Sequence, residues 1–271
     1  MRIAWCSDPE EFPFFNQRLA RRVRAMGHEV AVLHCIADLP PAPAASFDVG
    51  VLRTRDAPED PECCEVAARL EEAGLPLLNS LAARNASRDK SLTQALFADQ
   101  GVPQPEWSLA ASASESFGGP VVLKPLRGGR GEGIEVFDSV AEALSSVDDP
   151  ERFLVQRYFT RAATWRVIAT PARIIRGYRV FRLGGFDRER RLAKLRLFLP
   201  PPAKVAQLAR RMVAALDGGM MGADVIVASG TPLALEANTN FYLPLFDRPT
   251  LRAFVAEVEA RALGATSRSR R

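Results

Sequence analysis

The sequence predicts an α/β fold built from more than one lobe, and three observations predict it. Short apolar runs alternate with amphipathic helical stretches over residues 1–84, the pattern of a parallel sheet whose crossovers are helices. Beyond residue 85 apolar runs follow one another with glycine- or proline-rich turns between them, the pattern of antiparallel hairpins and α+β lobes. At 271 residues and 47% hydrophobic content, the chain can bury a sizeable core, and its length suits two or three small lobes better than one.

Taken in order, Arg2 to Trp5 reads as a strand, Asn16 to Met26 as a helix stopped by Gly27, and Glu29 to Cys35 as a second strand. A Pro/Ala loop at Pro40 to Ala45 leads to an apolar strand at Phe47 to Leu52, a helix from Pro61 to Ala73 and the short run Leu77-Leu78-Asn79. This lobe carries no G-x-G-x-x-G, so a Rossmann dinucleotide fingerprint is absent. Ser87 is placed to cap the next helix, whose Leu92, Ala95, Leu96 and Ala98 share one side before Gly101 ends it. Val102 to Glu106 is a stiff connector. Val121 to Lys124 reads as a strand, Arg127 to Gly133 as a glycine-rich loop, Ile134 to Phe137 as the returning strand and Val140 to Val147 as a short helix. Strands at Phe153 to Tyr158, Trp165 to Ala169 and Ile174 to Leu183 form an antiparallel run. Helix Ala203 to Leu216, strands Ala223 to Val227 and Leu233 to Glu236, and helix Leu251 to Leu263 complete the chain. The expected boundaries are 1–84, 85–152 and 153–264, with 265–271 a disordered basic tail.

Composition narrows the function. No apolar run approaches the roughly 20 residues that cross a bilayer, and the stretch Ile3 to Trp5 is too short for a signal peptide, so a cytoplasmic protein without a membrane partner is expected. Cys6, Cys35, Cys63 and Cys64 lack metal-ligand spacing and are expected as reduced thiols. The net charge of +4 comes from basic residues scattered among acids, with no aromatic-rich basic stripe, which argues against nucleic acid. The basic side chains are overwhelmingly arginine, so the four lysines, Lys90, Lys124, Lys194 and Lys204, stand out.

Two clusters carry chemistry. The loop from Arg127 to Gly133 has four glycines (Gly128, Gly129, Gly131 and Gly133), which let backbone N–H groups approach phosphate oxygens; taken alone it is equally an ordinary turn. It is not a Walker A loop, because no Gly-Lys-Ser/Thr follows and a strand comes next. Lys124 ends the strand before it and Lys90 opens the preceding helix, so both can set an ammonium against the same phosphates. The second cluster is Asp224 with Glu236 and Asn238, the latter two sharing one face of a strand. Hard oxygen donors of this kind suit Mg²⁺. The competing reading pairs Asp224 with an arginine and makes Asn238 a turn cap. Arg166, between Trp165 and Val167, points into a site if its apolar neighbours face a core, and its fork suits a carboxylate or acyl-phosphate oxygen.

In this order, these residues resemble the ATP-grasp superfamily, in its RimK-like and glutathione-synthetase-like branch of carboxylate-amine ligases. The resemblance spans roughly Asn79 to Leu263. It rests on Asn79-Ser80, Arg88-Asp89-Lys90, Val121 to Pro125 with Gly128 to Gly133, Leu154 to Tyr158, Trp165-Arg166-Val167, Gly222 to Val225 and Leu235 to Asn238. It implies an ATP-grasp fold with an N-terminal parallel α/β lobe, a small lid and a C-terminal antiparallel-sheet lobe. It also implies an amide- or peptide-forming ligase that works through an acyl phosphate. Lys90 and Lys124 would hold the ATP phosphates under the glycine loop, and backbone at Gln156, Arg157 and Tyr158 would meet adenine. Asp224, Glu236 and Asn238 would hold one or two Mg²⁺ ions, with Mn²⁺ as an alternative, and Arg166 would steady the acyl phosphate. Small-molecule or peptide carboxylates and amines are the implied substrates, glutamate among them. Arg179, Arg182, Lys194 and Asn240 are candidate substrate contacts. The N-terminal lobe either binds the carboxylate or forms a homo-oligomer interface.

The sequence departs from the branch at three places. Arg157 stands where the hinge usually has glutamate, Thr164 where an acid commonly precedes the strand arginine, and Leu183 to Arg191 replaces the usual asparagine and paired-glycine loop. Two rival readings accompany the ligase: a phosphotransferase that stops at a phosphorylated product, and a nucleotide- or RNA-binding module without ligase activity.

Overall fold

The computed structural model describes residues 1–9, 13–54, 62–114, 117–129, 131–182, 194–241 and 247–268. The chain forms two compact units, one of Met1–Asn85, Asp217–Met221 and Thr239–Arg271, the other of Ala86–Leu216 and Gly222–Asn238.

The first unit is a parallel sheet in the order β2-β1-β3-β4, made of β1 (Arg2–Ser7), β2 (Glu29–Leu33), β3 (Val49–Arg53) and β4 (Leu77–Leu78). Its central strands are nearly continuous apolar runs because both faces are covered, as all-parallel sheets require. Helices α1 (Pro13–Arg24), α2 (Pro43–Ser46) and α3 (Glu62–Glu72) follow β1, β2 and β3 in turn. Cys63, Val66, Ala67 and Leu70 recur at helical spacing, and α3 buries them in the core of this sheet. Helix α4 (Leu81–Arg88) follows β4. The last helix, α8 (Arg248–Arg268), also belongs here: Phe254 lies against Trp5, with ring centroids 6.1 Å apart, and both side chains are buried.

This placement differs from the expected lobe at 153–264, because the apolar stripe of α8 is used on the N-terminal sheet. The expected disordered tail at 265–271 is also corrected in part. The helix continues to Arg268, and 269–271 lie outside the described residues.

Asn79, buried just after β4, accepts from the Gly219 and Met220 N–H groups (2.8 and 3.0 Å) and donates to the Met220 carbonyl (2.9 Å). One side chain thereby satisfies three main-chain groups of the turn that runs into the strand beginning at Met221.

The second unit holds two antiparallel sheets. The smaller, in the order β5-β8-β6-β7, comprises β5 (Trp107–Leu109), β6 (Val121–Pro125), β7 (Glu135–Phe137) and β8 (Phe153–Arg157). Its core gathers Val121, Leu123, Phe137 and Val155 with Val140 and Ala143 of α6 (Val140–Ser145). Strand β8 therefore completes this sheet, and the expected lid boundary at 152 falls short of it. Strand β5 was not foreseen, since prolines precede it closely. The larger sheet, in the order β11-β10-β9-β12-β13, comprises β9 (Ala163–Ala169), β10 (Ile174–Arg182), β11 (Lys194–Phe198), β12 (Met221–Ala228) and β13 (Thr231–Asn238). Helix α7 (Ala203–Ala215) packs on β9 and β13, burying Val205, Leu208, Ala209, Met212 and Val213. Helix α5 (Lys90–Asp99) is capped by Asp89, whose Oδ1 accepts from the Ser91 and Leu92 N–H groups. Asp89 takes the role expected of Ser87: the earlier residues already belong to α4, and an anionic cap also favours the helix dipole.

Candidate active site

Strands β12 and β13 are antiparallel neighbours, and their register sets Asp224 opposite Glu236. Glu236 and Asn238 leave β13 on the same face, and the Asn238 Nδ2 donates to Glu236 Oε1 at 3.1 Å. Strand β9, next to β12, supplies Arg166. Its Nε and Nη2 donate to the two carboxylate oxygens of Asp224, and Nη2 lies 3.8 Å from Glu236. Trp165 and Val167, on either side of it in β9, are buried, which leaves Arg166 on the opposite face. Asp224 thus pairs with an arginine, as the competing reading has it, and that arginine is the candidate site arginine.

The charges shape one another. Burial pushes the Asp224 carboxyl up; Arg166 opposes this, and the neighbouring charge of Glu236 adds to it. Burial acts in the same direction on Glu236 but is outweighed by Arg166, Lys90 and Lys124, so that carboxyl sits below its usual range. Asp224 raises the pKa of Arg166, which stays charged.

Among the described residues no group of three His, Cys, Asp or Glu side chains could hold a metal. The candidate set is two carboxylates and one amide. These are hard oxygen donors without sulfur or imidazole, and they fit Mg²⁺ completed by phosphate oxygens. A cation held through Asp224 would share that carboxylate with Arg166.

The lysines belong to the same unit. Lys124 Nζ on β6 donates to Gln156 Oε1 at 2.6 Å, Gln156 Nε2 donates to Gln94 Oε1 at 3.1 Å, and Gln94 Nε2 donates to the Leu235 carbonyl at 2.7 Å. This relay runs from the small sheet through α5 to the residue before Glu236. Lys90 Nζ donates to the Gly128 carbonyl at 3.0 Å, tying the start of α5 to the glycine loop. Gly128, Gly131 and Gly133 have positive φ, and a Cβ on Gly133 would lie 2.8 Å from Pro125 Cγ, so part of the glycine content serves the turn itself. The Gly129 carbonyl closes that turn by accepting from the Glu132 N–H.

At the expected hinge, part of the main chain is engaged within the fold. Gln156 is buried in the central strand of its sheet, and its side chain holds Lys124. The Arg157 N–H donates to the Glu106 carbonyl and the Tyr158 N–H to the Pro120 carbonyl, so these two N–H groups are engaged within the fold. The Arg157 side chain pairs with Glu106 and lies over the Phe159 ring.

Among the substrate candidates, Arg179 stands opposite Trp165 while Tyr178 stands opposite Arg166, so Arg179 lies on the sheet face away from the carboxylates, its guanidinium over the Phe181 ring. Arg182 and Lys194 are paired in register, and their side chains lie outside the described residues, as does the expected substrate loop Leu183 to Arg191. Asn240 follows β13, half-buried, and groups with the first unit. Sequence reasoning missed Gln94, whose signal was its position one helical turn after Lys90. It also missed Tyr178, the cross-strand neighbour of Arg166, because β9 and β10 could not be put in register from the sequence.

No family model matches the chain. It is 26% identical over 272 residues to a probable alpha-L-glutamate ligase of Parasynechococcus marenigrum, covering 89% of this chain and 57% of that protein. It is 29% identical over 155 residues to one of Legionella pneumophila, covering 50% and 51%. The chain thus spans little more than half the length of the curated relatives it matches. A D-alanine–D-alanine ligase from Bacillus anthracis, solved with ATP, superposes with a TM-score of 0.71 at 15% identity over 99% of both chains. The chain has the ATP-grasp fold. Two further ATP-grasp structures agree. The ligase PsnB with minimal precursor, Mg and ADP gives a TM-score of 0.67 at 19% identity over 95% of this chain and 97% of that one. A RimK domain ATP-grasp protein from Sphaerobacter thermophilus gives 0.65 at 21% over 95% and 99%.

Proposed function

We propose that this chain is an ATP-dependent carboxylate-amine ligase that makes an amide or peptide bond through an acyl phosphate. The observation that carries the reading is the meeting of Arg166, Asp224, Glu236 and Asn238 on one sheet face, with Lys90 and Lys124 near enough to draw down the Glu236 carboxyl. The ATP-grasp fold, and relatives named as probable glutamate ligases, support it.

The reaction sets a carboxylate against a polyanion. Opposed unit charges at about 4 Å attract by about 4 kcal/mol at an effective dielectric near 20, so positioned cations offset much of that repulsion. In this reading Lys124, fixed by Gln156, and Lys90, at the start of α5, hold the phosphates. Arg166 exchanges part of its contact with Asp224 for the acyl-phosphate oxygens. Asp224, Glu236 and Asn238 would hold Mg²⁺, which would supply positive charge against the nucleotide phosphates. The carboxylate oxygen attacks the γ-phosphorus and ADP leaves. The amine then attacks the acyl carbon, phosphate leaves, and a proton is released. Glutamate, from the names of the relatives, is the amino acid to try first.

The test is ADP and phosphate release from purified protein with Mg-ATP against pooled amino acids and small carboxylates, followed by mass spectrometry. Release of both products with a condensation mass supports the ligase. ADP with a phosphorylated product and no phosphate indicates a phosphotransferase, and ATP binding without turnover in any pool, peptides included, indicates a binding module.

A further inference from the structure

The two edges of the larger sheet differ. At one edge, β13 is tied down, the Ala234 N–H donating to the Pro103 carbonyl and the Leu235 carbonyl accepting from Gln94. At the other, β11 pairs only with β10 among the described strands. Leu195, Leu197 and Leu199 alternate along β11 and its end, and are 54%, 47% and 39% exposed. An open strand edge carrying exposed leucines is a template for another strand.

The charge on this hairpin selects the partner. Strands β10 and β11 contain Arg176, Arg179, Arg182, Lys194 and Arg196 and no acid. A second copy paired antiparallel through β11 would bring these like charges together, which disfavours self-association. Of the rings of Tyr178 and Phe198 only the second is exposed, so no pair of rings is set out for successive bases. Tyr178 and Phe198 pack on each other at 5.4 Å, with Arg196 over the first ring and Arg176 over the second. A backbone edge, an aliphatic stripe and a basic flank remain. We infer that β11 is a docking edge for an extended acidic polypeptide segment, which adds to the sheet by main-chain pairing, sets small apolar side chains on the leucine stripe and sets carboxylates against Arg196 and its neighbours. This goes beyond the ligase reading and does not depend on turnover.

The test is fluorescence anisotropy on the full chain without ATP, using a labelled peptide in which Glu and Val alternate and a control in which Lys and Val alternate. The acidic peptide binds and the basic one does not, salt weakens the complex, and Arg196→Glu and Leu197→Glu each lower affinity about tenfold or more. Both positions are exposed, so circular dichroism stays unchanged, and hydrogen exchange over residues 194–199 slows on peptide addition. Equal binding of both peptides, equal binding by the variants, or exchange protection elsewhere would overturn the inference. So would a single-stranded oligonucleotide that binds where the peptide does not, or self-association that Arg196→Glu alters.

Discussion

Arg166 holds Asp224 by both carboxylate oxygens across neighbouring strands. In the proposed ligase, a divalent cation held by Asp224 would compete with Arg166 for that carboxylate. Arg166→Ala should abolish turnover and lower thermal stability, by roughly 1–3 kcal/mol for a carboxylate that loses its charged partner. Added Mg²⁺ or Mn²⁺ should then raise the melting temperature of the variant more than that of the parent chain. Equal shifts in both would show that Asp224 takes no part in cation binding.

The lysine relay makes a second prediction. Lys124→Ala should remove turnover and leave the fold intact. Gln156→Ala should leave Lys124 misplaced, raising KM for ATP about tenfold, the equivalent of about 1.4 kcal/mol. Gln156→Glu keeps an acceptor for Lys124 and should recover part of that loss, a rescue that a purely structural glutamine would not give. Steady-state kinetics on the three variants separates these outcomes.

Asn79 is expected to govern stability. Asn79→Ala strands two N–H groups and a carbonyl in a buried turn, at roughly 1–3 kcal/mol for each group left without a partner. Chemical denaturation should show an earlier midpoint. Loss below about 1 kcal/mol would mean that water replaces the amide.

The thiols should separate by burial. Burial, aided by nearby Cys64, pushes the Cys6 thiol up to about 12, and Cys63 is raised further by its hydrogen bond with the Cys64 thiol and by its burial. Alkylation of native protein at mildly alkaline pH should label Cys35, the half-buried one, well before the others, and all four should react after unfolding. Early labelling of Cys6 would contradict the packing of β1.

Much of this was legible beforehand. The parallel lobe could be read from apolar runs such as Val49 to Leu52, which a two-sided burial dictates, and the acid strands from the spacing of Glu236 and Asn238. What could not be read was pairing over distance. Nothing local says that Asp224 lies opposite Glu236, that Arg179 and Arg166 fall on opposite faces, or that Phe153 to Arg157 completes the small sheet. Register depends on partners far away in sequence, and a shift of one residue reverses every side chain. Helix α8 was recognised as a helix from its own pattern; its destination was not, because any sheet with an open apolar face would have suited that stripe.

The pairing of Trp5 with Phe254 joins residues that lie far apart in the sequence. During synthesis strand β1 leaves the ribosome long before the helix that covers its tryptophan. The second unit, continuous from residue 86 to 216 before its last two strands, is largely translated in the interval. The N-terminal sheet must therefore wait with an apolar face uncovered. A nascent chain halted before α8 should be the form that recruits chaperones, and removing α8 should first damage the sheet that contains β1.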